Sequence, residues 1–137
     1  MKPRELFLSH AGADHRFTRK VVQVLREFQV PVWYSETHLV GAQEWQDRIG
    51  VALKRCDWFA VIVSPKALQS MWVRREVTYA LRQRRLEKRI VPILYKACDL
   101  EQMSWVLPSV QFVDFTRSFK KGCRELLRIW RIAYSGS

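Results

Sequence analysis

Cysteine is scarce and scattered: Cys56, Cys98 and Cys123 are the only three, and none stands in a CxxC pair. This spacing indicates neither a zinc site nor a disulfide framework, so reduced, buried thiols in an intracellular protein are expected. Long apolar runs are also lacking. The longest, Trp58 to Val63, falls far short of the roughly 20 residues that cross a bilayer. Near the start, Met1-Lys2-Pro3-Arg4-Glu5 is followed by only three apolar residues, Leu6 to Leu8, too few for a secretion signal. A cytoplasmic location with no membrane contact is therefore expected. Acidic residues are few: 13 Asp and Glu face 24 Lys and Arg, for a net charge of +11. Such a surface attracts polyanions, but attraction is not specificity. No recognised nucleic-acid motif accompanies the charge, so specific nucleic-acid contact is not expected.

What is present is enough for a single folded domain. The chain has 137 residues and is 48% apolar, which excludes a disordered composition. The expected domain spans residues 1–134, with a loose tail at 135–137. Glu5 to Ser9 reads as a buried strand, and Asp14 as an N-cap. Phe17, Val21, Val24, Leu25 and Phe28 then recur at helical spacing, predicting a helix from Asp14 to Gln29. Val30 to Tyr34 reads as a second strand, Ser35 to Gln43 as a polar loop, and Trp45 to Cys56 as a helix. Trp58 to Val63 is the clearest strand, ended by Ser64-Pro65. A short helical turn is expected at Lys66 to Leu68, and a long helix over Met71 to Lys88. The basic end of that helix, Arg82 to Arg89, suits the negative end of a helix dipole. It reads as a solvated helix end or as a patch for a polyanion or an acidic partner. Arg89 to Tyr95 and Val110 to Phe115 read as further strands separated by an irregular stretch, and Phe119 to Trp130 as a closing amphipathic helix.

Strands alternating with helices imply parallel pairing through right-handed crossovers. The natural solution is an α/β, flavodoxin-like five-stranded parallel sheet with helices on both faces. Ligands then bind outside the carboxyl ends of the strands, at the loops after Ser9, Ser35, Ser64 and Tyr95. A phosphoacceptor receiver shares this layout but needs an acidic cluster after the first strand and an aspartate ending the third. Ser9-His10 and Ser64 stand in those places.

Leu6 to Ala11, Val32 to Glu36 with Leu39 and Gly41, Val61 to Pro65, Ser70 to Glu76 and Phe112 to Phe115 form an ordered set of segments that resembles the TIR (Toll/interleukin-1 receptor) domain family. Leu6-Phe7-Leu8-Ser9-His10-Ala11 resembles the family's first box, and Val32-Trp33-Tyr34-Ser35-Glu36 with Leu39 and Gly41 its second strand and BB loop. Val61 to Pro65 followed by Ser70-Met71-Trp72-Val73-Arg74-Arg75-Glu76 resembles the third strand and the segment bearing the catalytic glutamate. Phe112 to Phe115 resembles the last strand of bacterial members. The sequence departs from the family where an acidic residue often directly follows the second strand; here Ser35 intervenes before Glu36. The resemblance implies cleavage of the nicotinamide–ribose bond of NAD⁺, possible cyclisation of the product, and Glu76 as the catalytic residue. It implies assembly with other TIR protomers through a loop containing Glu36, Leu39 and Gly41, which also completes the neighbour's site. It further implies a fused or associated sensor domain and a part in bacterial immune defence or cell-death signalling. NAD⁺ is then the substrate, and no separate cofactor or metal is expected. Some family members only scaffold signalling complexes, so a non-enzymatic scaffold is the alternative.

The chemistry fits these residue types. Breaking an N-glycosidic bond passes through an oxocarbenium-like state whose charge a nearby carboxylate stabilises. Nicotinamide in NAD⁺ is already cationic, so its departure needs no general acid. Trp72 and Glu76 lie four residues apart and share a helix face. An aromatic wall beside a carboxylate suits a flat cationic ring. Spacing alone also allows Trp72 to be core and Glu76 a solvated charge. Ser9 and His10 are candidates to hold a ribose or phosphate, Ser9 otherwise capping a turn. Phe7 and Trp33 are candidate ligand contacts that packing would also explain. Ser35 is a candidate from its place after the second strand. His10 lacks neighbours at metal-ligand spacing. Trp45 is expected to pack and Gly41 to allow a backbone bend.

Overall fold

The computed structural model describes residues 1–35 and 42–136. The strands are β1 (Leu6–Ser9), β2 (Val32–Trp33), β3 (Trp58–Val63), β4 (Ile90–Leu94) and β5 (Val113–Asp114). They form one sheet in the order β2-β1-β3-β4-β5, all parallel. The helices are α1 (His15–Glu27), α2 (Ala42–Arg55), α3 (Pro65–Gln69), α4 (Met71–Leu81) and α5 (Phe119–Arg128). The fold is flavodoxin-like, as the alternation of elements predicts.

Side chains alternate across the sheet with period two, so each strand feeds two cores. Leu6, Leu8, Ala60, Ile62, Val91 and Ile93 enter the layer under α1 and α5. Phe7, Phe59, Val61 and Val63 enter the opposite layer, with Ile49 and Leu53 of α2 and Val73 and Val77 of α4. Gly122 lets α5 lie directly on the first layer, because a Cβ there would collide with the Phe115 ring. Trp33 and Tyr34 divide as their alternation predicts, Tyr34 into the α1/α5 layer and Trp33 against the other.

α1 ends in a Schellman arrangement. The Val30 N–H donates to Leu25 C=O at 2.9 Å and the Gln29 N–H to Arg26 C=O at 3.0 Å. This places Gln29 in the left-handed region, φ 64°, where glycine is the usual occupant. Asp14 sits at the start of α1, but its side chain does not cap the helix. It is buried and accepts a short hydrogen bond from Ser64 Oγ instead. Ser64 in turn caps α3, accepting from Ala67 N–H at 3.0 Å.

Three elements depart from the sequence reading, the first being the second strand, expected over Val30 to Tyr34, which pairs only at Val32 and Trp33. The long helix expected to reach Lys88 stops at Leu81. A 3₁₀ turn over Arg84–Leu86 follows, which buries Leu86 completely, and Lys88 takes φ 64° to enter β4. The basic run is therefore not the end of α4. Arg85 closes α2 instead, donating through Nε to Cys56 C=O at 3.2 Å and through a second nitrogen to Leu53 C=O. The last strand, expected over Val110 to Phe115, pairs only at Val113 and Asp114. Arg89 and Tyr95 bond toward β3 and Leu94 toward β5. Parallel strands alternate their partners residue by residue, so Pro92 also faces β5. It has no N–H to offer residue 111, and the ladder ends there.

The three cysteines are free; Cys56 and Cys123 are buried, while Cys98, expected to be buried, is only half-buried. Burial raises the Cys123 thiol to about 11. No helix among the described residues is long and apolar enough to cross a membrane.

Candidate active site

β1 is apolar except for its last residue. Phe7 and Ser9 point to the same face, and that face is covered by α4. Ser70 ends α3 and begins α4, its hydroxyl accepting from Val73 N–H at 3.2 Å. The new helix direction sends Val73, Glu76, Val77 and Ala80 inward. The two chain segments meet where Ser9 Oγ donates to Glu76 Oε1 at 2.5 Å, across 67 residues of sequence.

Glu76 is only 8% exposed. Burial, which disfavours the charged form, pushes its carboxyl up from 4.5 to about 7, against the opposing pull of the Ser9 hydrogen bond. No cation forms an ion pair with it among the described residues. A carboxyl kept close to neutrality-poised titration in a cleft is a signature of functional sites. The alternative that Glu76 is a solvated helix charge does not hold.

A cleft of about 120 Å³ opens beside this carboxyl, at the carboxyl end of β1. Phe7, Ser9, His10, Trp33, Ser35, Trp72 and Glu76, all candidates from sequence, line it together. Phe7 stacks on Trp33 at 5.1 Å and on Phe59 at 5.5 Å, so it forms floor rather than rim. His10 stands by His15, whose Nδ1 lies 3.5 Å from His10 Nε2. Trp72 is 36% exposed and therefore not core. One face of its ring engages the Arg75 guanidinium at 5.4 Å, so a cationic ring stacking on that face must displace Arg75.

Trp45, expected to pack, also lines the cleft. It meets Trp72 edge-on at 4.9 Å and donates from Nε1 to Ser35 Oγ at 2.9 Å. Nothing in its local sequence marks this, because the contact depends on how α2 and α4 lie side by side. Leu8, Gly12 and Ser70 complete the lining, and nothing in the sequence marks them as site residues. Glu36, Leu39 and Gly41, read as an assembly loop, lie outside the described residues. Among the described residues no group of three His, Cys, Asp or Glu side chains is placed to hold a metal.

The family model for the TIR domain matches residues 6–127. A probable 2′ cyclic ADP-D-ribose synthase, TcpO of Methanobrevibacter olleyae, is 25% identical over 121 residues, covering 86% of this chain and 35% of that protein. The 2′ cyclic ADP-D-ribose synthase AbTIR of Acinetobacter baumannii is 29% identical over 94 residues, covering 67% of this chain and 35% of that protein. The chain thus spans about a third of the length of the curated relatives it matches. Among solved structures, the TIR domain of the Toll-related receptor TRR-2 from Hydra magnipapillata superposes with a TM-score of 0.74 at 17% identity, covering 93% of this chain and 98% of that one. The TIR domains of the activated Roq1 resistosome recognising the effector XopQ superpose with a TM-score of 0.70 at 16% identity, covering 92% and 98%.

Proposed function

The chain belongs to the TIR domain family, and from that premise we propose that it cleaves the nicotinamide–ribose bond of NAD⁺ with Glu76 as its catalytic residue. The single observation that carries this reading is a carboxyl buried beside an aromatic-walled cleft at the carboxyl edge of a parallel sheet. The synthase names of the relatives support the same bond and add cyclisation of the ADP-ribosyl product.

The C–N bond breaks heterolytically, and its electron pair leaves with neutral nicotinamide. Positive charge develops on the ribose, and the Glu76 carboxylate stabilises it in a low-dielectric cleft where such an interaction is strong. The attacking oxygen is a second ribose hydroxyl, giving a cyclic product, or water, giving ADP-ribose. Its proton is taken by the carboxylate or by solvent. Ser9 holds Oε1, fixing the carboxylate orientation and favouring the charged form. Trp33, Trp45 and Trp72 exclude water, while His10 and Ser35 face the ribose and phosphates.

The cleft of about 120 Å³ is smaller than the roughly 300–1,000 Å³ of a site enclosing a whole small ligand. Only the nicotinamide end enters it, and the adenosine end lies across the rim against a second protomer. The family resemblance supports activation by self-assembly, through a segment including Glu36, Leu39 and Gly41. The setting we propose is cytoplasmic immune or cell-death signalling driven by an associated sensor. The test is incubation of NAD⁺ with protein clustered on a multivalent support, with nicotinamide and ADP-ribosyl products separated by chromatography. Release of nicotinamide that depends on clustering supports the reading; none under any clustering condition leaves the scaffold reading in its place.

A further inference from the structure

A second cavity, of about 590 Å³, lies at the opposite, amino-terminal end of the sheet. It exists because β5 peels away from β4. Pro92 ends the ladder, and residues 110 and 111 stand off from Ile90 and Val91, leaving a gap that all four line. The walls are apolar: Trp58, Leu81, Leu86, Val91, Val110 and Ile129. The mouth is basic, carrying Arg82, Arg84 and Lys88 against the single acid Glu87. Among the described residues none of these three cations forms an ion pair. Of the other two cations of the run, Arg85 is committed to the end of α2 and Arg89 lies over the Trp58 ring at 5.8 Å.

We propose that this cavity binds a free small-molecule amphiphile with an apolar tail and one anionic head, of the kind a medium-chain carboxylate represents. The volume lies inside the roughly 300–1,000 Å³ range of small-molecule sites, and an apolar wall with a few convergent polar groups is their usual make-up. Charge complementarity selects the head: the rim attracts an anion and repels a cation. By the same alternation that turns Pro92 toward β5, Ile90 directs its backbone N–H into the gap, a donor for such a head. A polyanion has no use for the apolar walls, and a second copy of this chain brings another +11 of like charge. The site stands apart from Glu76 and does not depend on the activity proposed there.

The test uses dodecanoate as probe, with acetate and dodecyltrimethylammonium as controls, titrated calorimetrically and mapped by amide NMR shifts. Dodecanoate should bind one to one, and both controls at least about ten-fold more weakly. Val110→Trp, which fills the cavity, and the double change Arg82→Glu with Arg84→Glu, which reverses the rim, should each weaken dodecanoate by about ten-fold or more. Thermal unfolding of both variants checks that they fold. Shifts should centre on residues 80–91 and 106–111. Equal binding of the cationic control, indifference to both variants, or shifts centred on the Glu76 cleft would overturn the proposal.

Discussion

Replacing Glu76 by glutamine should make the protein more stable at alkaline pH. The carboxyl titrates near 4.5 in an unfolded chain and at about 7 when folded. Between those values the native state holds a proton that the unfolded state has lost, so stability falls as pH rises. The contribution is fully present below 4.5 and is lost as pH climbs to and through about 7. Each pH unit between the two values is worth about 1.4 kcal/mol, so the total is on the order of 3 kcal/mol. Glutamine keeps the shape and an oxygen for Ser9 to donate to, and does not titrate. Urea unfolding of wild type and Glu76→Gln at about pH 4, 6 and 8.5 should therefore show a gap that widens with pH in favour of the variant. Parallel curves across this range would refute the burial of a titrating carboxyl. A protein that tolerates such a cost keeps the carboxylate for a purpose other than stability.

Other consequences concern single contacts. Ser9→Ala removes a hydrogen bond that favours the Glu76 carboxylate, so NAD⁺ cleavage by clustered protein should fall and the acid limb of its pH–rate profile move to higher pH; an unmoved limb contradicts the role given to Ser9. Gln29→Gly relieves a left-handed backbone and should stabilise the fold by a few tenths to about 1 kcal/mol in chemical denaturation, whereas a loss would show that the α1 terminus is not strained. Arg85→Ala opens the carboxyl end of α2 and should cost about 1 kcal/mol in the same measurement. No change there would return Arg85 to the status of a solvated charge.

The sheet was legible because its strands are short apolar runs with clear breaks, and the two faces follow from their alternation. Ser9 and Glu76 are separate candidates in the sequence, Glu76 through the resemblance, but the hydrogen bond between them was not legible, since nothing local joins positions 67 apart. The end of α4 was not legible: Arg and Lys are good helix formers, and no glycine or proline marks the stop at Leu81. The burial of Leu86, which turns the chain there, is a tertiary demand. Pro92 did carry the signal that shortens β5, but it becomes informative only once the register shows which neighbour it faces. Trp45 reads as a packing residue in its own helix, and only the approach of α4 makes it a wall of the cleft.

Catalysis by the proposed Glu76 carboxylate is read from the rate of nicotinamide release from NAD⁺ by clustered wild type, Glu76→Gln and Glu76→Ala at about pH 8, where the carboxylate is mostly charged. Wild type should turn over, and both variants, shown by denaturation to be folded, should lose at least about a hundred-fold. A folded Glu76→Gln protein that releases nicotinamide at the wild-type rate would contradict the account.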